Sequence, residues 1–266
     1  MPEPREVLRH FYVGELARCV LKIELIMNNT ITSIMIGGSM LAAVPASAEV
    51  EFEVHTGYHS IYEFRGVDLG DDLIEGGVDF STDLGNDFSL SGGAWYADTS
   101  GGKFNELDLY VGLTKTWGKV DISAGYIYYA LDGALLSDTQ EVYLGVSTEL
   151  ACGLGLSLTY FEDVDTIDGG YLEFAASKSY ELSACISLDL AVGAAWSFGY
   201  NTDVDGTSLE GFNHYYAKVA LPWNVYGDWT LTPYAKFVGA SNSIANGFAV
   251  ANEDLFIGGV TLSYSF

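Results

Sequence analysis

Basic residues are scarce in this chain: 11 of its 266 residues are Lys or Arg, against 36 Asp or Glu, and the formal net charge is -25. Binding to nucleic acid or to an anionic membrane surface needs clustered Lys and Arg, so the charge balance argues against both. The acidic excess does not indicate disorder, because disordered acidic chains are poor in aromatic residues and this sequence is 14% aromatic.

Long apolar runs and helical periodicity are also missing from residue 49 onwards. No stretch there is long enough to cross a bilayer as a helix, and no segment repeats its apolar residues every 3.6 positions. Apolar residues alternate with small or polar ones instead, most clearly at Ile186, Leu188, Leu190, Val192, Ala194, Trp196, Phe198 and Tyr200. This period of two predicts β-strands with one apolar face.

The stretch from Met27 to Ala48 is typical of a signal peptide. It is apolar and ends in Ala46-Ser47-Ala48, the small-x-small pattern that signal peptidases cut. We expect residues 1–48 to be an N-terminal extension and signal peptide cleaved after Ala48, with the barrel over 49–266. No positive segment directly follows Met27, which favours a start placed upstream of the true one. An N-terminal transmembrane anchor is the alternative, and the breaks in the apolar run disfavour it.

Period two divides the remaining chain into twelve strand-like segments, at 50–65, 73–82, 87–97, 104–116, 119–130, 140–150, 153–162, 170–180, 184–200, 211–221, 228–240 and 254–266. A strand of about ten residues crosses a membrane when tilted, and an even number of such strands is typical of outer-membrane barrels. We predict an all-β fold, a transmembrane antiparallel up-and-down β-barrel of about 12 strands in a bacterial outer membrane. A soluble β-sandwich is the alternative.

The connections between these segments alternate in length. If Phe266 ends in the periplasm, counting backwards assigns mostly short connections to the periplasm and longer, acidic ones to the outside, as expected for such barrels. The first outer connection is predicted at 66–72 and the last at 241–254. The last is rich in small and apolar residues and could fold inward as a plug.

Aromatic residues are predicted to form two outward girdles at the strand ends. The lower one holds Phe52, Phe80, Phe88, Trp117, Trp229, Tyr264 and Phe266, and the upper one holds Tyr62, Tyr96, Tyr128, Tyr160, Trp196, Phe198 and Tyr200. Phe266 resembles the C-terminal aromatic signal of outer-membrane barrels, so the expected partners are the barrel-assembly machinery, outer-membrane lipid and lipopolysaccharide, with no nucleic acid. The oligomeric state stays open.

The segment over roughly residues 54 to 97 resembles the start of the proteobacterial porins called the TorF or Gcw_chp family. The similarity lies in an aromatic-x-aromatic-Arg-Gly-Val run that closes the first strand, here Tyr62, Phe64, Arg65, Gly66 and Val67. The acidic segment after it departs from the family, and beyond residue 97 the similarity is generic. The resemblance implies an outer-membrane channel whose cargo is unassigned.

Inward-facing positions are where a channel would carry its selectivity. The predicted lumen-lining residues are Glu63, Arg65, Glu75, Asp79, Asp108, Asp121, Glu141, Glu173, Asp189, His214, Lys218 and Lys236. The three bases are expected either to form a positive wall facing an acidic one, which would orient a polar solute, or to pair with carboxylates across a mostly filled lumen. We therefore predict a porin-like channel for passive diffusion of small polar solutes or ions, preferring cations. A non-conducting structural or adhesive barrel with acidic loops is the alternative.

Neither catalysis nor a cofactor is indicated. No G-x-S-x-G elbow occurs, no outward Ser, His and acid set is found, and His55 and His59 are too far apart on an extended strand to share a metal unaided. The weak candidates for loose divalent-cation binding are Asp163, Asp165, Asp168, Asp203 and Asp205. Neither loop matches a calcium-binding register, and the solubility of exposed loops is the favoured explanation of the same residues. Whether Cys152 and Cys185 form a disulfide is left open.

Overall fold

The computed structural model describes residues 49–99, 105–133, 137–202, 207–240 and 254–266. The expected cleavage after Ala48 and the possible plug at 241–254 fall on or beside residues outside these ranges. The described strands are β1 (Val50–Phe64), β2 (Val67–Gly85), β3 (Phe88–Thr99), β4 (Asn105–Trp117), β5 (Val120–Asp132), β6 (Thr139–Glu149), β7 (Gly155–Asp163), β8 (Gly170–Ser183), β9 (Ile186–Thr202), β10 (Ser208–Ala220), β11 (Trp223–Tyr226), β12 (Trp229–Ala240) and β13 (Leu255–Ser265). In this part of the chain, no helix has the length and apolar character needed to cross a membrane.

Twelve of these strands close into one antiparallel barrel. Each pairs with its neighbours along the chain from β1 to β10, β10 then pairs with β12, and β13 closes the ring between β12 and β1. The short β11 pairs with the lower part of β12 and touches β9 only through Trp223 and Ile186. The predicted fold is therefore confirmed, and β11 is an added hairpin at the periplasmic end.

The outer surface of the barrel is apolar. Leu144 on β6 is 57% exposed and Val192 on β9 is 54% exposed, whereas Tyr143, next to Leu144 in sequence, packs against the cluster inside the barrel. A closed barrel leaves no unpaired strand edge and can cross lipid with its backbone satisfied. The apolar exterior matches a lipid environment and not water.

Aromatic rings cover the lower part of the closing seam. Phe266 stacks on Phe52 with ring centroids 5.7 Å apart, and Trp229 lies 4.9 Å from Tyr264. The backbone of Phe266 exchanges two 2.9 Å hydrogen bonds with Phe52. The C-terminal aromatic is thus part of the wall that closes the barrel.

Two residues predicted for the upper outer girdle point inwards instead. Tyr62 is 6% exposed, and its hydroxyl donates to Glu106 at 2.5 Å; Tyr200 packs against the interior cluster around Tyr110 and Tyr171. Just before Tyr62 the β1–β2 ladder skips the pair opposite Asp72, whose φ is 52°, and a register shift in the β8–β9 pairing beside Tyr171 precedes Tyr200 on β9. Each irregularity reverses the side-chain alternation that follows it, which a strict period of two cannot anticipate.

The first outer connection is also shorter than predicted. Phe64 pairs directly with Val67, so Arg65 and Gly66 alone make the turn. Both have positive φ, 52° and 80°, as the tight hairpin turn that suits twisted strands requires. Residues 67–72, predicted as loop, belong to β2. The other connections follow the predicted alternation, with the longer ones at the outer end.

Cys152 lies at the periplasmic turn after β6, is exposed and carries a free thiol. A disulfide between Cys152 and Cys185 is therefore not formed.

Candidate functional site

The upper part of the β1–β2 hairpin bends into the barrel. On β2, Gly70 has φ 154° and Asp72 has φ 52°, and on β1 the register shifts after Tyr62. The Asp68 carboxylate accepts a 2.9 Å hydrogen bond from the Gly70 amide and fixes the local turn. Positive φ on one strand opposite a bulge on the other is a bend built into the ribbon. We call residues 62–69 the tip.

The tip reaches across the lumen. In the ring of strands, β6 to β9 lie across the lumen from β1 and β2, and β10 lies three strands from β1. Nδ2 of Asn213 on β10 nevertheless donates to the Arg65 carbonyl at 2.9 Å. A Cβ placed on Gly66 would lie 2.8 Å from the Cβ of His214, also on β10. The turn is therefore pressed against the inner face of β10, away from its own strands, and His214 lies buried beneath it.

The Arg65 side chain forms a buried ion pair with β6, on the wall across the lumen. Its Nη1 lies 2.5 Å from Oε1 of Glu141 and its Nη2 lies 2.7 Å from Oε2, so the planar guanidinium bonds both carboxylate oxygens. The Tyr129 hydroxyl donates to the same Oε2 at 3.0 Å. Glu141 is 0% exposed, and its negative charge is matched by this arginine.

Aromatic rings surround the same guanidinium. Its Cζ lies 4.2 Å from the ring centroid of Tyr200, 4.4 Å from Tyr171 and 4.7 Å from Phe161. These distances are within the range of cation–π attraction. We call Glu141, Phe161, Tyr171 and Tyr200 the cage. All four belong to the wall opposite the tip, on β6 to β9.

A second ion pair lies next to the tip. Lys236 on β12 donates to Glu63, whose other oxygen accepts the Gly66 amide at 2.7 Å. The Lys236 ammonium also lies 4.9 Å from the Tyr216 ring, and the Tyr216 hydroxyl contacts Glu173 at 3.4 Å. The base of the tip is therefore tied to β12 by charge.

An acidic network lines the inner wall of β1 to β4. His55 lies 3.0 Å from Glu75 and 3.3 Å from Asp79. The Trp95 indole donates to Glu75 at 3.0 Å and the Tyr110 hydroxyl to Asp79 at 2.9 Å. Both carboxylates are buried among donors, as buried charges require.

The other predicted lumen residues are spread around the inner surface of the barrel, on β4, β5, β9 and β10. Asp108 is mostly buried beside Glu106, and its Oδ1 has no hydrogen-bond partner among the described residues. Nearer the periplasmic end, Asp121 accepts from Thr116 at 2.7 Å and Asp189 from Ser179 at 2.6 Å. The Lys218 ammonium lies 4.6 Å from the Tyr234 ring.

The three lumen bases do not form one positive wall. Arg65 crosses to β6 and Lys236 bonds Glu63, so two of the three pair with carboxylates, as in the second of the two arrangements that the sequence allowed. Lys218 rests on an aromatic ring. The predicted transverse separation of charge is wrong because the bent hairpin carries Arg65 away from the side on which its strand lies.

In the acidic outer loop after β7, the carboxylate of Asp163 accepts hydrogen bonds from the loop backbone. Oδ1 of Asp163 accepts the amides of Asp165, Ile167 and Asp168 at 3.0, 2.9 and 3.2 Å, and Oδ2 accepts the Thr139 hydroxyl at 2.6 Å. Asp163 is fully buried, and both of its carboxylate oxygens accept hydrogen bonds that stabilise the loop. Among the described residues no His, Cys, Asp and Glu group could hold a metal ion; Asp203 and Asp205 lie outside them.

Sequence reasoning placed Arg65 and Glu141 inside the barrel but missed the tip. It also missed Phe161 and Tyr200 of the cage. The signal that could have found the tip is the alternation in Val67, Asp68 and Leu69 directly after Arg65-Gly66, which indicates a strand and a tight hairpin turn instead of a loop.

The closed twelve-stranded ring and its apolar exterior define the chain as a barrel of the outer-membrane type. No protein-family model matches the chain, and no curated protein matches it. The similarity to the TorF or Gcw_chp family therefore stays a prediction.

Solved structures share the architecture. The NanC porin matches with a TM-score of 0.51 and 11% identity, over 80% of this chain and 98% of that one. The KdgM porin has a TM-score of 0.49 and 14% identity, over 81% and 99% of the two chains. An outer-membrane channel from Pseudomonas putida F1 has a TM-score of 0.49 and 13% identity, over 84% and 97%. At this identity the NanC match shows the fold alone.

Proposed function

We propose that this protein is an outer-membrane channel for small polar cations and that the inward tip is its closed gate. The observation that carries the proposal is the contact of Arg65 with Glu141 and the cage on the opposite wall. A ribbon that spans the lumen and ends in one bidentate ion pair can close a pore in one position and open it in another.

The charge of the lumen supports a preference for cations. Buried or half-buried carboxylates occupy the inner wall from the cage down to Asp189, whereas two of the three bases, Arg65 and Lys236, are neutralised by Glu141 and Glu63. A low-dielectric passage lined by one sign of charge concentrates the opposite ion. We infer a pore field that favours cations and excludes anions.

The outer rim adds to that field. The Tyr128 hydroxyl and the Leu131 amide donate to Asp138 at 2.5 and 3.0 Å, and these hydrogen bonds hold the pKa of this loop carboxyl below its ordinary value. Asp138 therefore remains charged at neutral pH, and carboxylates at a pore mouth raise the local concentration of cations.

A second function is favoured by the same contact if the tip never leaves the cage. The upper lumen would then stay filled, and the protein would be a non-conducting structural or adhesive barrel that acts through its acidic outer loops. Twelve-stranded barrels lie between filled eight-stranded barrels and open sixteen-stranded porins, so either state suits the size.

Single-channel recording separates these functions. The full chain is expressed in a Gram-negative host, purified from outer membranes and recorded in planar bilayers under a KCl gradient. Destabilising the closed state by about 1.4 kcal/mol changes the open-to-closed ratio tenfold. We therefore expect Arg65→Ala to raise the mean current about tenfold or more. The sign of the reversal potential should show that the current is carried by cations.

Two further variants make the recording specific. Asp79→Asn in the Arg65→Ala background is expected to reduce the cation preference. Glu162 lies on the outer wall, where it accepts the hydroxyl of the exposed Tyr160, and Glu162→Gln is expected to behave as the unaltered chain does. Arg65→Ala protein that inserts and folds but carries no current would overturn the channel and leave the scaffold.

A further inference from the structure

The cage has the composition of a receptor for a planar organic cation, and Arg65 is its internal occupant. A buried carboxylate receives both ends of the guanidinium fork at 2.5 and 2.7 Å, while Tyr200, Tyr171 and Phe161 present their rings to it. An ammonium is a compact point charge that cannot bond both oxygens in this fixed geometry. The site is therefore suited to a guanidinium.

We propose that the cage is a transport subsite for guanidinium-bearing organic cations, which becomes available when the tip leaves it. This inference rests on the proposed channel function and adds the class of solute. The cage residues belong to β6, β7, β8 and β9, not to the hairpin that carries Arg65. The site consequently stays assembled in the wall when its occupant moves.

Departure of Arg65 would leave a charge that needs a partner. Glu141 is 0% exposed, and after the tip has left, its own wall supplies neutral hydroxyl donors, from Tyr129 at 3.0 Å and from Tyr200, but no cation. Removing one partner of a buried pair leaves the other charge uncompensated, which is strongly unfavourable. A cation from solution that reproduces the fork would remove this penalty.

Unused polar groups beside the cage also indicate a ligand larger than Arg65 itself. The Tyr171 hydroxyl and Oδ1 of Asn213 are buried beside each other, and neither makes a hydrogen bond of full geometry among the described residues. Tyr171 stacks on the guanidinium of Arg65, and Asn213 bonds the Arg65 carbonyl through its other atom. A guanidinium compound with a further donor could satisfy these groups, whereas Arg65 does not.

Calorimetry tests the subsite without depending on conduction. The full chain carrying Arg65→Ala, purified from outer membranes in detergent, is titrated with methylguanidinium chloride and with methylammonium chloride. We expect saturable binding of methylguanidinium at least about tenfold tighter than that of methylammonium, because only the planar fork fits both carboxylate oxygens. The unaltered chain should not bind, since Arg65 fills the cage.

Matched double variants locate the binding. Arg65→Ala with Glu141→Gln should lose it, and Arg65→Ala with Glu162→Gln, on the outer wall, should keep it. Equal binding of the two cations, equal binding by the unaltered chain, or binding that survives Glu141→Gln would overturn the inference. If Arg65→Ala does not fold, as judged by its shift on gels with and without heating, Arg65→Gln takes its place.

Conduction by the same variant separates the two proposals. Selective binding with current that methylguanidinium reduces supports both. Current without selective binding overturns the subsite and leaves the channel, and selective binding without current overturns the channel and with it the transport role of the cage.

Discussion

Glu141 is the residue on which the closed state depends. It lies in a barrel wall with no exposure, accepts both guanidinium nitrogens of Arg65, and accepts the Tyr129 hydroxyl as well. Buried charges are stable only when they are paired and hydrogen-bonded. Its environment in the closed state is complete only when the tip is in place.

Substitution of Glu141 tests this dependence. Glu141→Gln leaves the Arg65 charge in the cage without a carboxylate and is expected to lower the free energy of unfolding by up to about 3–5 kcal/mol. Urea unfolding in lipid vesicles measures it. Arg65→Ala with Glu141→Gln removes both charges and should lose less than Glu141→Gln alone. Additive losses would count against a coupled pair, and Glu162→Gln should stay within about 0.5 kcal/mol.

Individual positions were predictable from side-chain alternation wherever strands are regular. That reasoning places Glu141, Glu75 and Asp79 on the inner wall, where they lie. It fails at Tyr62 and Tyr200, because each follows an irregularity in strand pairing, opposite Asp72 on β2 and beside Tyr171 on β8, that depends on three-dimensional structure. The partner of Arg65 was equally beyond reach, since it lies 76 residues away and across the barrel.

Among the elements, the β1–β2 hairpin differs from the hairpins whose turns fall within the described residues, because its turn lies inside the barrel. The φ of Gly66 is 80° and that of Gly85, the last residue of β2 at the periplasmic end, is 79°. A Cβ on Gly66 would lie 2.8 Å from His214, whereas nothing lies within 4 Å of a Cβ on Gly85. The two glycines share the backbone requirement and differ in their surroundings.

This difference makes a matched experiment. Gly85→Ala should cost about 1 kcal/mol in unfolding free energy, from backbone strain alone. Gly66→Ala adds a clash that moving the tip can relieve, so we expect it also to raise the open fraction in single-channel records, which Gly85→Ala should not do. Indistinguishable records from the two variants would contradict a tip held against β10.

At the scale of the whole molecule, the sequence was enough to predict the barrel, but it did not predict that the hairpin turn fills part of the lumen. Strand number, direction and closure follow from period two and from the alternating connection lengths. Whether the lumen is filled depends on a bend at Gly70 and Asp72, and Asp72, unlike glycine, gives no sign in the sequence of its positive φ.

The acidic lumen as a whole predicts how selectivity depends on salt. The Debye length falls from about 10 Å at 0.1 M to about 3 Å at 1 M ionic strength. With a fixed KCl ratio across the bilayer, the Arg65→Ala channel should therefore lose part of its cation preference as the mean concentration rises over this range. Reversal potentials measure it, and anion preference at 0.1 M would contradict an acidic pore.

The position of Trp95 gives the closed state an optical signature. Trp95 lies inside the barrel, 5.8 Å from the Tyr62 ring of the tip, whereas Trp117, Trp223 and Trp229 are exposed on the outer surface and Trp196 packs on the exterior ring of Phe212. Brominated lipids quench the fluorescence of tryptophans that contact the bilayer. The tryptophan fluorescence that remains in such lipids therefore comes mainly from Trp95. Its accessibility to a water-soluble quencher reports the movement of the tip in the native chain, without any attached dye.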